Sequence, residues 1–173
     1  RDADAALQDF DGISYAKGHA VLTQLADRIG DDVFFGGVRD HFERHRFGNA
    51  TMRDLFDAWE RAGAGELETW TAAWLRTAGL DRIDLVRPVG DAGGELLLTP
   101  PAGGSAGREH AFGVARWDGA AWQVSDVRVD GERTPVEADA TSPTVLDAKA
   151  TAWADLTLDE VTAAALPAVM AST

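Results

Sequence analysis

The spacing of apolar residues changes near Leu80, and this change constrains the fold more than any other feature of the sequence. Before Leu80, apolar residues recur every three or four positions, which is typical of helices that bury one face. After Leu80, short apolar runs are separated by turns rich in Gly and Asp, which is typical of strands. The sequence therefore predicts an α+β protein with three parts. They are an N-terminal helical piece (residues 1–80), a small antiparallel β-sandwich (81–156) and a C-terminal helix (157–173).

The spacing predicts four helices in the first part. The first carries Val21, Leu22, Leu25 and Ile29 and stops at Gly30. Asp31 or Asp32 is placed to cap a second helix, and Thr51 is placed to cap a third. The residues that we expect to be buried are Phe34, Phe35, Val38 and Phe42 in the second helix and Trp59, Trp70 and Trp74 in the third and fourth.

Five strands are predicted in the second part, at residues 83–86, 95–99, 111–117, 122–129 and 151–155. Asp118-Gly119 stands between two of these runs and predicts a hairpin. Further along, Thr157 is followed three residues later by Glu160, which is the spacing of a capping box. That pair predicts the start of the last helix.

The charge and composition exclude several classes of partner. The net charge of the 173 residues is −13, and no basic patch is visible that could neutralise nucleic-acid phosphates or bind an anionic membrane. No apolar run is long enough to span a bilayer. The sequence has no cysteine, so disulfides and thiolate metal sites are excluded. We therefore expect a cytoplasmic protein that binds neither nucleic acid nor membranes.

His41 and His45 are separated by four positions, so a helix would place both imidazoles on one face, where they could share a metal. The segment HFERH superficially resembles the HExxH zinc motif, but its glutamate, Glu43, is one position too late to act as that motif's general base. The other histidines have no obvious third-ligand spacing. We therefore interpret His41 and His45 as surface or helix-end residues.

Tyr15 is the only tyrosine in the sequence and lies in the segment Ile-Ser-Tyr-Ala-Lys-Gly, directly before an apolar helical pattern. Composition alone would make Tyr15 a packing residue at a helix start and Lys17 a solvated lysine. The segment nevertheless resembles the tyrosine segment of the aminopeptidase N family of zinc metallopeptidases, which reads roughly ISYxKGxxVLxxL. Residues 47–51, Phe-Gly-Asn-Ala-Thr, and the Trp-rich stretch that ends at Gly79 are similar to later blocks of that family.

This resemblance implies a fragment of a zinc-dependent enzyme that removes N-terminal amino acids from peptides. In that family the tyrosine hydroxyl stabilises the oxyanion that forms on the scissile carbonyl, and this role would fall to Tyr15. The family's zinc ligands (HExxH and a distant glutamate) and its GxMEN motif are not in this sequence, and we expect them upstream of Arg1. Zinc is therefore expected in the full-length enzyme and not in this chain, which would be inactive alone.

Two other interpretations remain open. The chain could be a non-catalytic module that binds a peptide or protein, or it could belong to a family member that has kept the scaffold and lost the zinc ligands. We also expect the helical piece, separated from its neighbours, to expose an apolar face that favours self-association.

Overall fold

The computed structural model describes residues 12–87, 93–103 and 108–172, with side chains described from Tyr15 to Ala171. The chain divides into two compact units, Arg1–Thr77 and Ala78–Thr173. The first is helical and the second consists of two sheets and a helix, so the predicted α+β fold class is confirmed. No helix among the described residues is both long and apolar enough to cross a membrane.

The described part of the first unit contains four α-helices. They are α1 (Gly12–Ile29), α2 (Asp31–Arg44), α3 (Met52–Trp59) and α4 (Glu68–Leu75). A π-helical turn, Glu60–Ala64, extends α3, and Gly63 within it adopts a φ of 113°, a region that favours glycine. The chain then turns through Gly65 into α4.

The start of α3 is capped as the sequence predicts. The Thr51 hydroxyl accepts a hydrogen bond from the Asp54 amide, and the Asp54 carboxylate accepts one from the Thr51 amide. The Asp54 carboxylate accepts hydrogen bonds from the Thr51 amide and from the Thr51 hydroxyl, and these two bonds hold the pKa of Asp54 below its usual value. The predicted cap of α2 is wrong, because the N-cap is Gly30 and it makes no side-chain cap. Asp31 lies instead inside the first turn, where a carboxylate favours the positive end of the helix dipole.

The core of the first unit is built on tryptophans. Trp59, Trp70 and Trp74 are all buried, as predicted, together with Leu25 and Leu67. These large apolar side chains hold the four helices together by removing their surface from water.

Helix α2 is less buried than its sequence predicts. Phe35 and Phe42 are 54% and 69% exposed, so the prediction that they are buried is wrong. The reason is that α2 meets α3 through Gly37, its only fully buried residue in the described structure. Phe35 and Phe42 lie about 140–160° around the helix from Gly37 and point away from the contact. Phe34 does reach the interface, where its ring stacks on Trp59 at 5.2 Å.

The described part of the second unit contains seven strands, two more than predicted. They are β1 (Asp81–Val86), β2 (Gly94–Thr99), β3 (His110–Trp117), β4 (Trp122–Val129), β5 (Arg133–Val136), β6 (Thr144–Leu146) and β7 (Ala154–Leu156). One sheet has the order β5-β2-β1-β7 and the other β4-β3-β6. Among the described strands, every pair is antiparallel except β1 and β7, which are parallel, so the sheets are not purely antiparallel as predicted.

The two sheets share one apolar core, which supports a sandwich arrangement. Ile83 and Leu96 come from the first sheet and Phe112, Val114 and Val129 from the second, and all are at least 97% buried. The predicted hairpin joins β3 to β4, with Trp117 opposite Trp122. Asp118 stabilises its turn by accepting hydrogen bonds from the amides of Ala120 and Ala121.

A buried cluster of charged and polar groups lies beside this core. One oxygen of Asp81, Oδ2, accepts hydrogen bonds from the Arg108 guanidinium at 2.9 Å and contacts Nε2 of His110 at 2.9 Å. All three side chains are at most 3% exposed. Burial acts to raise the pKa of Asp81, but the hydrogen bonds from His110 and Arg108 outweigh it and lower the pKa.

The last helix, α5 (Glu160–Ser172), is capped by a different residue from the one predicted. Asp159 accepts hydrogen bonds from the amides of Val161 and Thr162, whereas the Thr157 hydroxyl donates to Asp84 in β1. The capping-box prediction at Thr157 is therefore wrong. Thr157 lies next to β1 because it directly follows β7, which pairs with β1.

Arg87 connects this helix start to the sheets. Its guanidinium makes a two-point contact with the Asp159 carboxylate, at 2.8 and 3.0 Å, and also donates to the carbonyl oxygens of Asp139 and Ser142. Burial acts to raise the pKa of Asp159, but the hydrogen bonds from Arg87 and Thr162 lower it to about 2.

Candidate functional site

Tyr15 lies in the first turns of α1 and its side chain is 69% exposed. An α-helix advances about 100° per residue, so Tyr15 shares an edge of α1 with Gly18 and Leu22, three and seven positions later. The buried residues of α1 that follow are Ala20, Val21, Gln24 and Leu25. Tyr15 therefore presents its ring on the side of the helix away from this buried stripe.

Lys17 occupies the buried side of the same helix turn. Its side chain is half-buried, and its ammonium nitrogen lies 3.4 Å from the carbonyl oxygen of Thr77, sixty positions along the chain. The prediction of a solvated lysine is therefore wrong. The reason is that α1 packs near the end of α4, where helix carbonyl groups lack partners within the helix.

An apolar groove runs along α1 next to Tyr15. It has a volume of about 450 Å³ and is lined by Lys17, Gly18, Leu22 and Leu25 of α1 and by apolar side chains of α3 and α4. A Cβ atom on Gly18 would meet nothing within 4 Å. Gly18 is therefore not needed for a close contact between the helices that the structure describes. It leaves the groove open one turn after Tyr15.

His41 and His45 do lie side by side on α2, with ring centroids 5.0 Å apart. Nδ1 of His41 is buried and has no hydrogen-bond partner in the described structure. No group of three or more His, Asp or Glu among the described residues is arranged to hold a metal ion. His45 caps the C-terminal end of α2, as the sequence predicted for a helix-end histidine.

The charged face near these histidines consists of ion pairs. Asp40 accepts hydrogen bonds from Arg44, four positions later on α2, and from Arg61, at 2.7 and 2.6 Å. The hydrogen bonds from Arg44 and Arg61 keep the pKa of Asp40 below its usual value. The guanidinium groups of Arg44 and Arg61 are thus paired with a carboxylate on an exposed surface.

Comparison with known proteins shows the class to which this segment belongs. Residues 1–74 match the family model described as the peptidase family M1 domain, and this match includes Tyr15, Lys17 and the four helices nearly to their end. Residues 1–74 are therefore a segment of the peptidase family M1 domain, as the resemblance of the tyrosine segment predicted.

Individual relatives are aminopeptidases. The aminopeptidase N of Streptomyces lividans is 40% identical over 154 residues, which cover 78% of this chain and 18% of that protein. Aminopeptidase 2 of Candida albicans is 32% identical over 97 residues, which cover 56% of this chain and 10% of that protein. This chain spans less than a fifth of the length of either relative. The first alignment covers more than the 77 residues of the helical unit, so the sequence similarity reaches into the β-rich unit.

A solved structure shares the fold. The crystal structure of Legionella pneumophila aminopeptidase A in complex with aspartic acid matches with a TM-score of 0.68 at 14% identity, covering 87% of this chain and 18% of that one. At this identity the likeness concerns the fold alone.

Sequence reasoning missed the contact between Lys17 and Thr77 and the buried cluster of Asp81, Arg108 and His110. The alternation of β3 could have indicated that His110 is buried, because His110, Phe112 and Val114 are spaced by two. No local signal could have indicated that Lys17 meets Thr77, since the two residues are brought together only by helix packing.

Proposed function

We propose that this chain is part of a zinc-dependent metallo-aminopeptidase that removes N-terminal amino acids from peptides, and that Tyr15 is its catalytic contribution. One observation carries the proposal: the phenol ring of Tyr15 is exposed on a helix that lies in a family M1 segment. The names of the relatives support the same activity.

Tyr15 has the chemistry that this role needs. A tyrosine hydroxyl is neutral and directional, and it donates one hydrogen bond. When a scissile carbonyl is attacked, its oxygen gains negative charge, and a donor already in place stabilises that charge more than it stabilises the ground state. Tyr15 would therefore act mainly on kcat and little on substrate binding.

We expect the zinc ligands of such an enzyme to lie outside this chain. No three ligands converge among the described residues, and the sequence contains no HExxH. The zinc ligands and the groups that bind the substrate amine would have to come from another part of the intact protein. We therefore expect the isolated chain to have no peptidase activity. A cytoplasmic location and a peptide substrate as partner are part of the same proposal.

The test uses the intact protein encoded by the full reading frame. We expect it to contain zinc and to hydrolyse aminoacyl anilides, and we expect Tyr15→Phe to lower kcat by about 10²–10³-fold with little change in KM. Val124→Thr, at an exposed strand position of the other unit, is the control and should behave like the parent.

Two results would count against the proposal. A kcat for Tyr15→Phe within about threefold of the parent would remove Tyr15 from the reaction, because an oxyanion donor acts on a larger scale. An intact protein without zinc and without hydrolysis would favour the alternative of a peptide- or protein-binding module.

A further inference from the structure

We propose that Lys17 is a positioning residue for Tyr15: its ammonium group, bound to the Thr77 carbonyl, fixes the turn of α1 from which Tyr15 projects. This inference rests on the proposed function for its catalytic consequence, but its structural part can be tested without any activity.

Lys17 and Tyr15 occupy opposite sides of one helix turn. Two positions along an α-helix correspond to about 200° of rotation, so a side chain that anchors the helix at Lys17 directs Tyr15 outwards. Lys17 is half-buried, whereas Tyr15 is 69% exposed. Rotation or fraying of this turn would move the Tyr15 ring, because a helix turn moves as a unit once its backbone hydrogen bonds are formed.

The acceptor of Lys17 is itself held in place. α4 ends at Leu75, and the Arg76 amide bonds back to the Ala72 carbonyl. The Thr77 hydroxyl donates to the Ala73 carbonyl, which fixes the backbone of Thr77 against the helix. The Thr77 carbonyl oxygen then accepts from Lys17. A cation at this place also interacts favourably with the negative end of the α4 dipole.

The side chain of Lys17 suits this bridge. Its aliphatic stem lines the apolar groove, and its charged end reaches the carbonyl oxygen beyond it. The sequence has only two lysines among its sixteen basic residues, and the other, Lys149, is an exposed partner of Asp126 in the second unit. Lys17 therefore connects α1 to the end of α4 from the side of the helix opposite Tyr15.

The catalytic consequence follows from the precision that an oxyanion donor requires. Displacing a catalytic hydroxyl by about 1 Å can lower the rate of the reaction by up to about 10²-fold. Lys17 therefore affects the reaction without touching the substrate. Its loss should lower kcat through Tyr15 and leave KM nearly unchanged.

The first experiment reads the position of Tyr15 directly. Because the chain has a single tyrosine, 3-fluorotyrosine labels one site, and fluorine NMR gives one resonance for it. Lys17→Met keeps the stem and removes the charge, and Thr77→Val removes the hydroxyl that fixes the acceptor. We expect both variants to shift or broaden the resonance, Lys17→Arg to restore it, and Lys149→Met to leave it unchanged. An unaltered resonance in Lys17→Met, with the helical signal of the parent, would overturn the inference.

The second experiment uses the intact enzyme and a double-mutant cycle. We expect Lys17→Met to lower kcat by about tenfold in the parent and by less than about twofold in a Tyr15→Phe background, since the two residues act as one unit. Equal losses in both backgrounds would overturn the positioning role. If Tyr15→Phe itself leaves kcat unchanged, the proposed function fails, and the fluorine spectra still decide whether Lys17 positions Tyr15.

Discussion

Gly37 in α2 faces Trp59 in α3 so closely that a Cβ atom on Gly37 would lie 2.3 Å from Cδ1 of Trp59 and 2.9 Å from its Cα. The indole Nε1 of Trp59 also donates a hydrogen bond to the Phe34 carbonyl oxygen at 2.9 Å, so the ring cannot move aside without breaking it. This contact sets the separation of α2 and α3.

Gly37→Ala is therefore expected to destabilise the helical unit. An added methyl in this contact forces α2 and α3 apart, at a cost of about 1–3 kcal/mol that exceeds the gain in helix propensity. Gly36→Ala is the matched control, because its Cβ would lie at an ordinary 3.8 Å from the Ala62 Cβ. Urea unfolding followed by tryptophan fluorescence measures the stability of both variants. Equal unfolding midpoints for Gly37→Ala and Gly36→Ala would show that the contact does not constrain the helices.

Asp81→Ala is expected to destabilise the strand-rich unit by about 3–5 kcal/mol, because it leaves the Arg108 guanidinium buried without its carboxylate. Hydrogen exchange of the β1 and β3 amides measures this unit separately from the helices. Asp126→Ala removes an exposed ion pair with Lys149 and should cost less than about 1 kcal/mol. Similar protection in the two variants would contradict a structural role for the buried cluster.

The contact between Arg87 and Asp159 should make the stability of the second unit depend on pH in the acidic range. The folded-state pKa of Asp159 is about 2, below the ordinary value of 3.8. The carboxylate therefore contributes stability above about pH 4, and that contribution is lost as the pH falls towards 2. Its size is about 2 kcal/mol, from 1.36 kcal/mol for each pKa unit.

Asp159→Asn should lower stability at pH 7 and remove this part of the pH dependence, and Arg87→Met should do the same from the other side of the contact. The measurement is the free energy of unfolding between pH 2 and pH 7, compared with the parent. Parallel curves for the parent and Asp159→Asn would show that the contact does not couple to protonation.

The isolated chain is expected to self-associate through the apolar surface of α2 and the loop that follows it. Phe35 and Phe42 lie seven positions apart on one side of α2, and Phe47 is fully exposed. Sedimentation velocity over a range of concentrations should show association that Phe42→Ser weakens and Val124→Ser, at an exposed strand position, does not. A monomer at every concentration would contradict this prediction.

Local signals in the sequence were sufficient for much of the fold. The N-cap at Thr51, the break at Gly30, the hairpin at Asp118 and the buried tryptophans each depend on residues close together in the chain, and each was predicted correctly. The tyrosine segment also led to the family, because its residue pattern is specific.

The errors arose where distant residues decide the outcome. Thr157 has the spacing of a helix cap, but the pairing of β7 with β1 brings it to Asp84 instead. Phe35 and Phe42 fit the apolar period of α2, but Gly37 determines which side of the helix is packed. The bridge from Lys17 to Thr77 spans sixty positions, so no local pattern could reveal it. The catalytic role of Tyr15 stays a prediction until the intact protein is assayed.

The parallel pairing of β1 with β7 also has a consequence for the newly synthesised chain. β1 ends one sheet until residues 154–156 arrive, about 70 residues after β1 itself has been made. At a synthesis rate of about 5–20 residues per second, the ribosome leaves that edge of β1 open for roughly 3–14 s. Unpaired strand edges template association with other chains, so the nascent protein is most prone to aggregate in this interval. A ribosome that stalls before Ala154 would prolong this exposure. The synthesis of β7 therefore ends the interval in which the open edge of β1 can pair with another chain.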